Sequence, residues 1–178
     1  MGKNEKDKAV MLIYTGEGKG KTSAAVGQAI RALGSGLRVG FGQFLKRDDQ
    51  SGEQKVLKNL LPRDLFLASG EGFYRDGRDH ERHRHAAQAL TEWAQQKLQG
   101  QVDLLVLDEA LYSLNKDLLT AGELKALIRQ ARENEVHLVL TGRDVPEWLK
   151  EEADLISDIR VVKHPFEKNI PARKGIEF

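Results

Sequence analysis

The sequence AVMLIYTGEGKGKT, residues 9 to 22, decides the fold of this chain. Its first seven residues, Ala9 to Thr15, are rich in apolar and β-branched types, which is typical of a buried parallel strand. The next seven hold three glycines and two lysines, and an amphipathic segment follows as far as Gly34. The order of strand, glycine-rich turn and helix predicts a loop whose backbone N–H groups wrap an anion.

The turn nearly fits the phosphate-loop template, which is a glycine, four residues and then Gly-Lys-Ser/Thr. Gly20, Lys21 and Thr22 match the end of the template, whereas Thr15 stands where its first glycine belongs and Gly16 follows one residue late. In this template the lysine binds phosphate oxygens and the hydroxyl group binds Mg²⁺. A glycine-rich turn without a ligand is the plain alternative. The order of the elements favours a nucleoside triphosphate.

The composition limits the class of protein. With 178 residues the chain suits one domain, and we expect residues 9–178 to form it after a poorly ordered start at residues 1–8. Lys and Arg number 28 against 27 Asp and Glu, so the net charge of +1 favours neither nucleic acid nor membranes. Because the chain has no cysteine, disulfides, thiolate ligands and a cysteine nucleophile are excluded. The polar start is not a signal peptide, so we expect a cytoplasmic protein.

Strand-like and helix-like segments alternate along the rest of the chain. This alternation predicts an α/β fold, with a mostly parallel, doubly wound sheet and helices on both faces. The helix after the glycine-rich turn is expected to pack Ala25, Ala29 and Ile30 on the sheet. A capping box from Thr120 to Glu123 predicts the start of a later helix. The further predicted strands span residues 37–45, 64–68, 102–109, 136–141 and 156–162.

A second chemical signal is the pair Asp108-Glu109, which ends the predicted strand of residues 102–109. Phosphate-loop proteins use such a strand end to bring carboxylate oxygens to the Mg²⁺ at the loop hydroxyl. Chance alone produces many Asp-Glu pairs, but together with Lys21 and Thr22 this pair predicts an enzyme that uses ATP or GTP. The guanine-reading pattern Asn-Lys-x-Asp is missing, which disfavours a GTPase. Hydrolysis with Glu109 as the base for water stays open.

Residues 69–84, SGEGFYRDGRDHERHR, combine glycines, two aromatic residues and alternating charge after a predicted strand. Because sites in open α/β sheets lie at the carboxyl ends of the strands, we expect a ligand-facing loop here. His80, His83 and His85 suggest a metal site, but the arginines between them favour a solvated or anion-facing helix start. Arg143 follows another strand and is expected either to contact phosphate or to pair with Asp144.

Six blocks of the sequence, in order, closely resemble the ATP:corrinoid adenosyltransferases of the cobalamin pathway. The resemblance runs from about Met11 to Phe178, and the late-glycine loop is itself a feature of that family. Six ordered blocks make a coincidence very improbable. The blocks are residues 14–22, 43–46, 70–73, 106–109, 141–143 and the tail segments 162–166 and 174–178.

The resemblance implies a RecA-like P-loop fold, a homodimer and an unusual reaction. The 5′-deoxyadenosyl group of ATP is transferred to the cobalt of a reduced, cob(I) corrinoid, and triphosphate is released. The cobalt is the nucleophile, reduced outside this protein by a flavoprotein, so the protein supplies none and Lys21 serves as an electrostatic stabiliser. The alternative is a P-loop ATPase or kinase that acts at the γ-phosphate without a corrinoid.

The resemblance also implies which residues form the sites. Mg²⁺ is expected on Thr22 and Glu109, with Asp108 behind them. The corrinoid is expected on Phe73, Tyr74 and Arg75, where the family usually reads Gly-Phe-Thr-Trp and this chain reads Gly-Phe-Tyr-Arg. Either Tyr74 replaces the tryptophan, or the substrate is an incomplete corrinoid, or displacement of the lower ligand is weaker. ATP is expected on Thr15, Gly16, Glu17, Gly18, Lys19, Gly20, Lys21, Thr22 and Arg143.

Overall fold

The computed structural model describes residues 8–72, 74–75, 79–165 and 169–176. Its strands are β1 (Met11–Thr15), β2 (Val39–Gln43), β3 (Phe66–Ala68), β4 (Leu104–Asp108), β5 (His137–Thr141) and β6 (Leu155–Asp158). They form one sheet in the order β3-β2-β4-β5-β1-β6, and every neighbouring pair is parallel. The predicted parallel α/β sheet is therefore confirmed.

Helices occupy the intervals between the strands. A short 3₁₀ turn, Arg63–Leu65, takes the first part of the predicted third strand. The short helix directly after β4 has no counterpart in the sequence prediction. The helices are α1 (Lys21–Gly34), α2 (Gly52–Leu60), α3 (His80–Lys97), α4 (Ala110–Asn115), α5 (Ala121–Glu133) and α6 (Glu147–Glu152). Within the described ranges, none of them is long and apolar enough to cross a membrane.

Both faces of the sheet are covered, as β4 illustrates. Successive strand residues point to opposite faces. Leu105 and Leu107 belong to an apolar cluster with residues of α3 and α5, whereas Leu104 and Val106 belong to another with residues of α1 and α2. This two-sided burial confirms helices on both faces, and it explains why the strands are continuously apolar rather than alternating.

Helix α1 packs small residues against the sheet. Ala25, Ala29 and Ala32 are buried. Ile30, which the sequence places on this face, is 42% exposed instead. It follows Ala29 by one residue and so lies about 100° further round the helix. The small inner residues let the helix lie close to the sheet, with its N-terminus at the carboxyl end of β1.

The last strand is shorter than predicted. It ends at Asp158, and the chain then turns across the carboxyl end of the sheet. The N–H of Ile159 donates to the carbonyl of Thr15 at 2.8 Å, and the carbonyl of Ile159 accepts from the N–H of Gly18 at 2.7 Å. Ile159 thus contacts the turn that follows β1, and the apolar residues after it, Val161 and Val162, are exposed.

Candidate functional site

The glycine loop, residues 16–20 between β1 and α1, is held from inside and from outside. From inside, the Nζ of Lys21 donates to the carbonyl oxygens of Gly16 and Gly18 at 2.7 and 2.8 Å. From outside, the segment after β6 lies so close that a Cβ on Gly16 would come within 2.3 Å of Asp158. A Cβ on Gly18 would come within 2.6 Å of the carbonyl of Ile159. These glycines are required by packing as well as by any anion.

Two charged side chains of the loop and Arg143 meet at this edge of the sheet. Arg143 forms an ion pair with Glu17, not with Asp144 as one interpretation of the sequence has it. Burial lowers the pKa of Lys21, and the nearby charge of Arg143 lowers it further. The structure therefore brings Glu17, Lys21 and Arg143 together, as expected of an anion site at a helix N-terminus.

Asp108 lies at the centre of a buried hydrogen-bond network beside the loop, and its side chain is fully buried. Its Oδ1 accepts from the Thr22 hydroxyl at 3.0 Å and from the Thr141 hydroxyl at 2.7 Å. Its Oδ2 accepts from Gln43 Nε2 and from Lys46 Nζ, both at 3.0 Å. The loop hydroxyl and the acidic strand end thus lie in direct contact, close enough to share a cation.

Asp108, rather than Glu109, contacts the Thr22 hydroxyl, and the expectation that Glu109 binds Mg²⁺ with Asp108 behind it stays a prediction. Glu109 has a left-handed backbone, with φ of 61°, and its N–H donates to the Thr141 hydroxyl at 2.9 Å. Burial raises the pKa of the Glu109 carboxyl, and the neighbouring charge of Asp108 adds to this effect. A cation bound beside both carboxylates would favour their charged forms and so oppose this rise in pKa.

Sequence reasoning missed two charged residues of the network. The Nζ of Lys46 lies 3.0 Å from Asp108, 3.1 Å from Glu53 and 3.2 Å from the Thr22 hydroxyl. Burial alone would lower the pKa of Lys46. The negative charges of Asp108 and Glu53, and the hydrogen bonds that Lys46 donates to them, raise it above its ordinary value. The position of Lys46 after a predicted strand is a signal that points to the ligand edge. Glu53 gives no such signal, because it lies in a helix rich in charged residues.

The loop after β3 packs directly against the chain that carries Lys46. The N–H of Gly70 donates to the carbonyl of Lys46 at 2.9 Å, and the N–H of Gly72 donates to the carbonyl of Leu45 at 2.7 Å. A Cβ on Gly70 would lie 1.9 Å from the Leu45 carbonyl carbon, so no larger residue fits there. Phe73, an expected corrinoid contact, lies outside the described residues.

An open cavity of about 640 Å³ lies beside this loop. Arg75, the second expected corrinoid contact, lines it together with Arg47 and His83. Tyr74, the third, lies edge-on to His83, with ring centroids 5.2 Å apart, and its hydroxyl is 3.0 Å from the Nδ1 of His80. Tyr74 therefore packs against α3, whereas Arg75 faces the cavity.

The interpretation of the histidines as a solvated helix start is wrong for His83. Its side chain is only 6% exposed, and its Nδ1 has no hydrogen-bond partner. Burial lowers its pKa below the ordinary value of 6.5. His85, on the other side of α3, is exposed. Among the described residues, no three His, Asp or Glu side chains are placed to hold a metal ion by themselves.

Comparison with known proteins gives a consistent result over nearly the whole chain. The family model described as ATP:corrinoid adenosyltransferase BtuR/CobO/CobP matches residues 7–178. The corrinoid adenosyltransferase of Pseudomonas aeruginosa is 37% identical over 173 residues, which cover 97% of this chain and 85% of that protein. That of Salmonella typhimurium is 32% identical over 176 residues, which cover 98% and 88%. The chain therefore belongs to the ATP:corrinoid adenosyltransferase family.

Proposed function

We propose that this enzyme transfers the 5′-deoxyadenosyl group of ATP to the cobalt of a cob(I) corrinoid, in adenosylcobalamin biosynthesis or salvage. The electron pair of the reduced cobalt forms the bond to C5′. The bond between C5′ and the triphosphate oxygen breaks, and its electrons leave with the triphosphate. The observation that carries the proposal is the match of residues 7–178 to the corrinoid adenosyltransferase family, and the 3.0 Å contact between Thr22 and Asp108 supports an ATP site at the glycine loop.

The residues of this chain then bind and stabilise rather than attack. The backbone of the glycine loop, residues 16–20, and the N-terminus of α1 receive the triphosphate. Lys21 and Arg143 stabilise the negative charge that grows on the leaving group. Orientation matters equally, because the transfer needs C5′ in line with the metal of the second substrate.

The oxygen-rich edge beside the loop fits a magnesium ion. Mg²⁺ prefers hard oxygen ligands and commonly combines one or two carboxylates with substrate phosphates. The hydroxyl of Thr22 and the carboxylates of Asp108 and Glu109 supply such oxygens, and we propose that they hold the ion. Bound there with ATP, it would neutralise part of the triphosphate charge.

The cavity lined by Arg75 suits the periphery of the corrinoid, with Phe73 and Tyr74 on the same loop. Guanidinium groups pair with carboxylates by charge-assisted hydrogen bonds. Arg47 and Arg75 line this cavity, and so do Asp48 and Asp79, so the two arginines face two carboxylates. We therefore base the preference for an incomplete corrinoid with free carboxylates on Arg75 alone, which stands where the family usually has tryptophan.

The test combines the protein with ATP, Mg²⁺ and a chemically reduced corrinoid. We expect triphosphate and a light-sensitive cobalt–carbon product in equal amounts. ADP that forms without any corrinoid would instead support a P-loop ATPase or kinase. Tight ATP binding without turnover would support a non-catalytic binding module.

Four further properties belong to this proposal. We expect a homodimer, a transient flavoprotein reductant, a cytoplasmic location and a single domain over residues 9–178, without nucleic acid or membrane partners. Light scattering after gel filtration tests the dimer, since one chain has a mass of 20.0 kDa. Limited proteolysis tests the domain and should remove no more than the first residues.

A further inference from the structure

The ammonium group of Lys46 sits in a cage of three oxygen atoms. It lies 3.0 Å from Asp108 Oδ2, 3.1 Å from Glu53 Oε1 and 3.2 Å from Thr22 Oγ1. A lysine ammonium has three N–H donors and no acceptor. All three donors are therefore used, and the geometry around the nitrogen is that of a small cation held by oxygens.

Within this cage, Asp108 has no vacant acceptor position for another cation. A carboxylate has about four lone-pair sites. Asp108 accepts from four described side chains, those of Thr22, Gln43, Lys46 and Thr141. The Thr22 oxygen donates to Asp108 and accepts from Lys46. A metal ion can bind Asp108 only if one of its four partners withdraws, and the Lys46 ammonium also occupies one of the two lone pairs of the Thr22 oxygen.

Lys46 is the partner best able to withdraw. Gln43 is fully buried and is held by Gln54, which donates to its Oε1 at 2.8 Å. Thr141 is fully buried as well. Lys46 instead has a side chain with 22% exposure and four flexible methylene groups. Its backbone stays anchored while the side chain moves, because Gly70 donates to its carbonyl at 2.9 Å.

We propose that the Lys46 ammonium takes the place of the divalent cation in the nucleotide-free enzyme and yields its oxygens only when the metal arrives with ATP. This inference rests on the proposed function, because it concerns the same nucleotide site. Free metal must displace a bound positive charge and gains little by doing so. Metal with ATP brings the triphosphate as additional ligands and counter-charge. The enzyme therefore takes up its metal together with the nucleotide rather than before it.

The experiment measures Mn²⁺ binding to the nucleotide-free protein by electron paramagnetic resonance, with Mn²⁺ as the probe for the site. Lys46→Met removes the charge but keeps most of the side-chain volume. We expect the wild-type protein to bind Mn²⁺ weakly and Lys46→Met to bind it at least roughly tenfold more tightly. Adding Asp108→Asn to Lys46→Met should abolish the gain, which places the bound Mn²⁺ in this cage.

Two variants serve as controls, and a third is a substitute for Lys46→Met. Lys46→Arg keeps the charge and should bind Mn²⁺ as weakly as the wild type. Lys58→Met removes a charge on α2 whose partners are Asp48 and Asp49, and it should also leave binding unchanged. If Lys46→Met does not fold, Lys46→Gln is used in its place, because glutamine removes the charge but keeps a hydrogen-bond donor to Asp108.

The outcomes separate this inference from the proposed function. Unchanged Mn²⁺ affinity in folded Lys46→Met or Lys46→Gln overturns the inference, as does an equal gain in Lys58→Met. Neither result bears on adenosyl transfer, which is measured with ATP and reduced corrinoid. Conversely, a gain in Mn²⁺ affinity in a protein that transfers no adenosyl group would leave the cage intact and overturn the function alone.

Discussion

Lys21 is bonded to its own loop in the absence of a nucleotide. Its contacts with the carbonyls of Gly16 and Gly18 hold the ammonium at the loop, so it has only a short distance to move toward a phosphate. The nearby charge of Arg143, which contributes to its lowered pKa, indicates two positive charges aimed at one region. Such a pair is costly without an anion and favourable with one.

We expect Lys21→Ala to lower adenosyl transfer by at least about 100-fold, because the leaving triphosphate loses a stabilising charge. The thermal unfolding midpoint should change little, since the loop carbonyls can bond to water instead. The measurement is the rate of triphosphate release beside a melting curve. Lys55→Ala, on the exposed face of α2, is the matched control. Near-normal transfer in Lys21→Ala would contradict the site.

His83 should make stability depend on pH. The folded protein holds its pKa below 6.5, so the unfolded chain binds a proton more readily than the folded one. Stability is therefore complete above pH 6.5 and falls as the pH drops toward the lowered value, by at most about 1.4 kcal/mol per pH unit. Urea unfolding at several pH values between about 5 and 7.5 measures this slope. The upper bound corresponds to the uptake of roughly one proton on unfolding.

The matched pair His83→Gln and His85→Gln isolates this effect. His83→Gln should flatten the slope, because glutamine does not titrate. His85→Gln should keep it, since His85 is exposed on the same helix. An unchanged slope in folded His83→Gln would show that another group causes the pH dependence.

Arg75 should determine which corrinoid is preferred. We expect the wild-type kcat/KM to be higher for an incomplete corrinoid with free carboxylates than for cobalamin, because Arg75 lines the cavity and can pair with a carboxylate. Arg75→Trp, which restores the usual family residue, should reduce this preference at least roughly threefold by loss of one charge-assisted contact. Arg129→Trp, on the exposed face of α5, is the control, since the ion pair of Arg129 is with Glu133 on the same helix. Equal preference in the wild type and Arg75→Trp would exclude this role.

The sequence predicts some residues of the site and not others. Lys21, Thr22 and Asp108 follow from a motif, since parallel strands end at one edge and bring their last residues together. The order of Asp108 and Glu109 does not follow, because it depends on the left-handed turn at Glu109. The ion pair of Arg143 with Glu17 is equally hidden, since 126 residues separate its partners.

At the scale of elements, the loop after β3 and the end of β2 form one unit. Gly70 packs against the backbone of Leu45. That backbone is already in a left-handed conformation, with φ of 63°, which leaves it little room to shift away from a larger residue. The β3 loop carries Tyr74 and Arg75, whereas the β2 end carries Lys46. A substitution in one loop should therefore affect both the proposed corrinoid site and the proposed ATP site.

We expect Gly70→Ala to lower the free energy of unfolding by roughly 1–3 kcal/mol, since its Cβ collides with the Leu45 backbone. It should also weaken corrinoid binding, because the loop must shift. Gly52→Ala is the control, since a Cβ at Gly52, in the first turn of α2, meets no atom within 4 Å. It should be neutral or stabilising. Denaturant unfolding compares the two, and equal stability would contradict the close packing.

Elements were predictable where the signal is local. The capping box of α5 is confirmed, with Thr120 accepting from the Glu123 N–H at 3.1 Å. The predicted buried strands are confirmed. They were predictable because a continuous apolar run is typical of a strand in a sheet that is covered on both faces. The early end of β6 was not predictable, since Ile159 leaves the sheet to meet a loop about 140 residues away in sequence.

For the whole molecule, ligand binding and unfolding should be coupled. The glycine loop joins β1, which lies between β5 and β6, to α1. Because this loop exists only when the sheet is intact, ATP with Mg²⁺, the ligand that we propose for it, should bind the folded state alone and stabilise it by about 2.7 kcal/mol at 100 times its Kd. Thermal unfolding with increasing ATP measures the effect. The shift should disappear in Lys21→Ala, and a shift that persists there would place ATP elsewhere.

The interior position of β1 has a consequence for synthesis on the ribosome. β1 leaves the exit tunnel first, yet its neighbours include Leu138, opposite Met11, and Leu155, opposite Leu12. Such distant pairings make folding slow, and β1 cannot pair until β5 and β6 have been synthesised. The glycine loop therefore stays without its complete sheet until β6 has been synthesised. If this loop binds ATP, as we propose, a product that ends before β6 should not sequester the nucleotide.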